Sequence, residues 1–317
     1  MRRVRRAVRK LRWVAKRPLG LPRRILVEIR WRLGDEIMAI PIYEALRLRY
    51  PDAHLSVWCN YPELLDENPF VDKVIGPTDA AEPEAHAPIR ADARDVPPDR
   101  YILLRTAARD AYRLGEYAKH AHIPLPRMRP RLYYRDWSTP LLGGSPLQAG
   151  HPLIAVSAGA SWPTKRWPIE RWPLLAQALE GSGYSVVELG RGCEQIGVGV
   201  SLVDKTTVRE AACVLHAARL FIGCDSGLMH LALAAGSKAL ALFGPTDPSI
   251  LIRDDPNLSV ITNDRECSGC WNVSGQPVEA GLAPAAALGA CPRNLPSCLD
   301  SITVEAVLQR AQRLLAI

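Results

Sequence analysis

The sequence predicts an α/β protein made of two doubly wound parallel-sheet units that face one another across a cleft. Three observations carry that expectation. A length of 317 residues suits two domains of roughly 150. Short apolar strands alternate with helix-length segments, the pattern of parallel strands joined by crossover helices. That pattern breaks at Thr139 to Pro152, where three glycines and three prolines fall together, and then begins again.

In chain order, Ile25–Ile29 is the first strand, and a loop with Gly34 leads into a helical pattern that runs to about Tyr50. Strands follow at His54–Trp58, Lys73–Ile75 and Tyr101–Leu104, with a Pro-, Ala- and Asp-rich surface loop from Thr78 to Arg100. Beyond the break come strand Leu153–Ser157, a helix near Glu170–Leu179, strand Ser185–Leu189, helix Val208–Ala217, strand Arg219–Gly223, helix Gly227–Ala235 and strand Ala239–Phe243. A last helix, Thr303–Leu315, could pack back across the pair. The expected divisions are a basic arm at 1–22, a first unit at 23–145, a second at 146–302 and the closing helix at 303–317.

The net charge of +7 resembles a nucleic-acid signal, but its placement argues otherwise. Residues 1–24 hold eleven Lys and Arg and no acid, leaving 29 basic against 33 acidic residues in the rest. Val4, Val8, Leu11 and Ala15 share one helical face, with arginines on the others. Such a basic amphipathic segment suits an anionic membrane surface, and equally a solvated arm. An organellar transit peptide is the remaining alternative. No apolar run approaches the ~20 residues of a membrane span, and no apolar stretch after the charges marks a secretory signal.

Three segments that follow strands hold the residues suited to chemistry. Asp225-Ser226-Gly227-Leu228-Met229-His230 turns from a strand into a helix, leaving free N–H groups at the positive end of the helix dipole, where a phosphate fits. The same residues also suit a plain N-cap. Ser157 to Pro168 (SAGASWPTKRWP) sets hydroxyls before Lys165 and Arg166, as a diphosphate clamp or as an exposed basic loop. Arg30 to Glu36 carries Asp35 after the first strand, as a cleft carboxylate or an N-cap. Its single glycine is not the dinucleotide pattern G-x-G-x-x-G, which removes the main support for hydride transfer.

Of eight cysteines, Cys59, Cys193, Cys213 and Cys224 sit in apolar surroundings and read as small core residues. The other four form Cys267-x₂-Cys270, then twenty residues, then Cys291-x₆-Cys298. A tetrahedral thiolate site is one reading, although the closing x₆ departs from the usual ribbon spacing. Disulfides and unligated thiols are the others.

Together, Ile25 to Ile75, Ser157 to Pro168 and Phe221 to Pro248 (FIGCDSGLMHLALAAG, then ALFGPTDP) resemble glycosyltransferase family 9, the bacterial heptosyltransferases. The stretch from Thr78 to Gly150 matches poorly. The resemblance implies a GT-B architecture of two Rossmann-like domains, the second holding the nucleotide sugar. It also implies inverting, metal-independent transfer of heptose from ADP-heptose to a lipopolysaccharide core acceptor. Asp35 would be the base; Lys165 with Ser226, Gly227, Leu228 and Met229 would hold the diphosphate, and Ser161 would contact a phosphate. Glu194 would contact the ribose, Asp225 and His230 would position the lysine and the donor sugar, and Thr246 would lie nearest the donor.

No catalytic cofactor is expected, because no D-x-D pair is present to carry a metal. The cysteine run Cys267-Ser-Gly-Cys-Trp-Asn resembles the subset that modifies autotransporter proteins, which implies a structural iron or zinc at Cys267, Cys270, Cys291 and Cys298. For that subset the acceptor is a protein and oligomerisation is expected. The remaining expectations are an ADP-sugar donor, a cytoplasmic location peripheral to the inner membrane through the basic arm, and no nucleic-acid partner. A nucleotide-sugar-binding scaffold without catalysis is the non-enzyme alternative.

Overall fold

The computed structural model describes residues 21–77, 99–105, 111–126, 129–139, 141, 150–193, 195–263, 268–272 and 298–316. The first 20 residues of the expected arm, nearly all of the 78–100 loop, most of the 139–152 break, Glu194, Cys267 and Cys291 lie outside them.

In the first unit β1 (Arg24–Ile29) is central, with Ile25, Val27 and Ile29 buried. It pairs in parallel with β2 (His54–Cys59) and with β4 (Arg100–Leu103), while β3 (Lys73–Ile75) flanks β2. The order is β3-β2-β1-β4. Helix α1 (Leu33–Arg49) makes the crossover from β1 to β2, and α2 (Arg113–Ala121) follows β4. Sequence reading passed over α2, although Leu114, Tyr117, Ala118 and Ala121 are spaced as one helical face and all four are buried.

The second unit runs β5 (Leu153–Ser157), α3 (Arg171–Gly181), β6 (Ser185–Glu188), β7 (Val200–Ser201), α4 (Val208–Ala217), β8 (Leu220–Cys224), α5 (Gly227–Ala234), β9 (Ala239–Phe243), α6 (Pro248–Leu251), β10 (Leu258–Thr262) and α7 (Val304–Leu315). All pairs are parallel, in the order β10-β9-β8-β5-β6-β7. Every residue of β5, β8 and β9 is buried, as expected of parallel strands covered on both faces. Short β7 and edge strand β10 carry half-buried residues and gave no clear run in the sequence.

Two expectations are corrected here. Helix α7 buries Val307 and Ala311 in a core cluster lined by second-unit residues only, against α3 and β8, and does not bridge the units. Its apolar stripe is narrow and is fully used on that one sheet face. Cys193 is half-buried and not a core residue, because it lies on the loop after β6 with its sulfur against Gly190.

The units are held face to face. Helix α1 packs against α5, and one apolar cluster runs from Val27 of the first sheet to Phe243 of the second. Residues 129–137 lie between the units and touch both. Leu132 N–H donates to the Ala234 carbonyl of α5, while Tyr134 Oη donates to the Glu63 carbonyl of the first unit. Trp137 stacks on His216 at 4.2 Å between ring centroids. Arg209 pairs across the boundary with Asp66 at 3.2 Å.

Candidate active site

In each sheet the chain winds outward to one side and then reverses: β1 to β3 before β4 joins the other side of β1, and β5 to β7 before β8 joins the other side of β5. Open parallel sheets bind ligands outside the carboxyl ends of their strands at such a reversal. The three segments singled out from the sequence are the loops leaving β1, β5 and β8, so they occupy the reversal points. Those points face each other where α1 meets α5.

The approach is close. A Cβ on Gly34 would stand 2.8 Å from Cδ2 of His230, and one on Gly227 would stand 3.0 Å from Cβ of Leu33. Only glycine at both positions lets the two helix starts meet. Asp35 therefore lies in the first turn of α1 at the seam with the second unit, partly open to solvent.

Burial raises the Asp35 carboxyl above its usual range, opposed by Arg113, a hydrogen bond from Tyr117, Lys165 and Arg32. Tyr117 Oη donates to its Oδ1 at 3.3 Å. Two of these neighbours, Arg113 and Tyr117, stand one turn apart on α2, and the chemistry of that helix was missed in the sequence. Beside it, Glu36 is 2% exposed and accepts N–H groups from Trp31, Asn60 and Tyr61, so it ties the β1 and β2 exits together. Burial pushes its carboxyl up to about 8 against those three donors.

On the facing side, Asp225 is buried at the exit of β8. Its Oδ2 accepts from Lys165 Nζ at 2.5 Å and from Thr246 Oγ1 at 2.6 Å. Burial alone would raise this carboxyl, but the adjacent ammonium outweighs it and holds the group below its ordinary value. His230, also buried, is driven down to about 4 by desolvation, so its imidazole is neutral at pH 7. Lys165 is itself set by a single-turn 3₁₀ helix, Pro163–Lys165.

Ser226 occupies the N-cap of α5 with extended φ and ψ, yet its side chain makes no cap hydrogen bond. Its Oγ is buried without a hydrogen-bond partner. The N–H groups of Gly227, Leu228 and Met229 have no acceptor inside the helix, as at any helix start. Met229 has a fully buried side chain and can offer a ligand its N–H alone, and Leu228 is half-buried. Ser161, exposed, accepts from Arg32 Nη1 at 2.7 Å across the seam. Sequence-selected Asp35, Ser161, Lys165, Asp225, Ser226, Gly227, Leu228, Met229, His230 and Thr246 are thus brought to one seam.

Of the four clustered cysteines, Cys270 and Cys298 fall among the described residues. Cys298 packs on Gly244, and the turn bearing Cys270 is hydrogen-bonded to the Gly244 and Pro245 carbonyls, so both adjoin the exit of β9. No group of three metal-ligating side chains occurs among the described residues.

Residues 100–274 match Glycosyltransferase family 9 (heptosyltransferase), more than half of the chain. The chain belongs to glycosyltransferase family 9. Its two facing parallel-sheet units are the GT-B architecture. A lipopolysaccharide heptosyltransferase 2 from Salmonella typhimurium is 28% identical over 173 residues, 50% of this chain and 48% of that protein. The chain thus spans about half the length of that relative. The structure of Escherichia coli ADP-heptose lps heptosyltransferase II superposes with a TM-score of 0.64 at 21% identity, covering 92% of this chain and 98% of that one. The dodecameric iron-containing heptosyltransferase TibC, in complex with ADP-D-β-D-heptose, gives a TM-score of 0.70 at 18% identity over 96% of this chain and 80% of its own.

Proposed function

We propose that this family 9 protein transfers heptose from ADP-heptose to a lipopolysaccharide core acceptor, with inversion and without a catalytic metal. The observation that carries the reading is the opposition of Asp35 to the Lys165–Asp225 pair and the start of α5 across one seam. A carboxylate whose affinity for protons is raised suits a general base. Asp35 would take the proton of the acceptor hydroxyl as that oxygen attacks the anomeric carbon from the face opposite the diphosphate. The bond from that carbon to the phosphate oxygen breaks, and the departing ADP takes up negative charge.

Lys165, the N–H groups of Gly227 to Met229 and the orphaned Ser226 hydroxyl are the groups available to meet that charge. Asp225 and Thr246 fix the lysine, and neutral His230 lines the donor side. Glu194 and Ser161 would complete the grip on ribose and phosphate. With no D-x-D pair in the sequence, these groups would supply the positive charge that a metal supplies in other transferases.

A protein acceptor is the second reading, favoured by Cys298 and the turn bearing Cys270 both adjoining Gly244 and Pro245. With Cys267 and Cys291 they would hold an iron or zinc that fastens this turn and takes no part in transfer. The basic arm at 1–22 would seat the enzyme on the cytoplasmic face of the inner membrane.

Release of ADP from ADP-heptose, with lipopolysaccharide core and protein acceptors compared, tests the assignment. Asp35→Asn is expected to slow transfer about 10²- to 10⁴-fold while ADP still binds. Undiminished transfer by that variant would overturn the role of Asp35, and full activity in chelator is expected for the wild type.

A further inference from the structure

The indole of Trp162 lies over the Lys165 ammonium, 4.1 Å from Nζ to the ring centroid. Trp271 meets Trp162 edge-on, with centroids 4.6 Å apart and planes at 64°. Both indoles are half-buried, so neither is a core-filling side chain. Trp271 belongs to the single turn Cys270–Asn272, and its backbone is pinned. Its N–H donates to the Pro245 carbonyl at 2.8 Å, and Gly269 N–H donates to the Gly244 carbonyl at 3.0 Å. The next residue along that strand exit, Thr246, is the second donor to Asp225.

These contacts close a ring: Lys165 to Asp225, Asp225 to Thr246, Pro245 to Trp271, Trp271 to Trp162, and Trp162 back to Lys165. The ammonium is held between a carboxylate and a π-face, and two separate loops fix those two groups. A lysine side chain is otherwise freely rotating, so fixing it before the ligand arrives removes an ordering cost from binding. We propose that Trp271 is a positioning residue of the donor site, which buttresses Trp162 and through it holds Lys165 toward the diphosphate. This rests on the assignment of Lys165 as a diphosphate ligand.

Calorimetric titration of the full chain with ADP tests both levels. Lys165→Ala weakens ADP binding, and Trp271→Ala weakens it roughly five- to tenfold, the size of a lost cation–π contact. Trp271→Phe, which keeps an aromatic edge, restores most of the affinity. In the Lys165→Ala background, Trp271→Ala causes no further loss, since its effect passes through the lysine. Trp271→Leu takes the place of the alanine variant, with the same expectation, if that variant does not fold.

Wild-type affinity in Trp271→Ala with a weakened Lys165→Ala overturns the positioning role alone. So does a Trp271→Ala loss that persists without Lys165, which would mark a merely structural effect. Unchanged affinity in Lys165→Ala overturns the assignment beneath it.

Discussion

The residues at the seam differ in what their surroundings do to their charge. Asp225 is buried and pairs closely with half-buried Lys165, so removing the lysine would strand a buried carboxylate, at a cost of up to about 3–5 kcal/mol. His230 is buried beside them as a neutral ring, with its folded-state affinity for protons lowered to about 4. Since the unfolded value is about 6.5, the unfolded chain binds the extra proton between these limits. Stability from His230 is therefore complete above pH 6.5 and is lost as pH falls toward 4. Between pH 7 and pH 5 the loss comes to about 2 kcal/mol. Urea midpoints at the two pH values for wild type and His230→Asn check this, and an equal drop in both proteins would exclude the histidine as its source.

Among the elements, α1 and α5 matter most, because their first turns carry opposite halves of the candidate site. They approach through Gly34 and Gly227, and a methyl group on Gly34 would collide with the His230 ring. That ring is buried and has little room to swing aside. Gly34→Ala is expected to destabilise the protein by about 1–3 kcal/mol through overpacking, read as a lower urea midpoint. An unchanged midpoint would mean that the helices slide apart without cost. Helix α2 plays a supporting part by presenting Tyr117 and Arg113 to Asp35. Its apolar spacing was readable, but nothing in the sequence told which carboxylate Arg113 and Tyr117 would meet.

Over the whole molecule, the first and second units share an apolar cluster and a segment, 129–137, that binds to both. Two-unit proteins commonly unfold in stages. Here the shared core predicts one cooperative transition, with circular dichroism and tryptophan fluorescence giving coincident urea curves. Separate midpoints would show that the units part before either one melts.

The succession of most strands and helices along the chain, the exits of β1, β5 and β8, and the residues standing on those exits were all determined by local sequence, whereas the lateral order of the strands was not. Alternation of short apolar runs with helical periods needs no distant contact to be read. The family resemblance likewise pointed to Asp35, Lys165 and the start of α5. Only the tertiary structure decided that α7 stays on its own sheet and that Cys193 is half-exposed. It alone brought Arg113 and Tyr117 to Asp35, and set Trp271 against Trp162. Each of those depends on which surfaces meet after the sheets have formed. A side chain's charge state and partner follow from that meeting, through desolvation and distances between groups far apart in the chain.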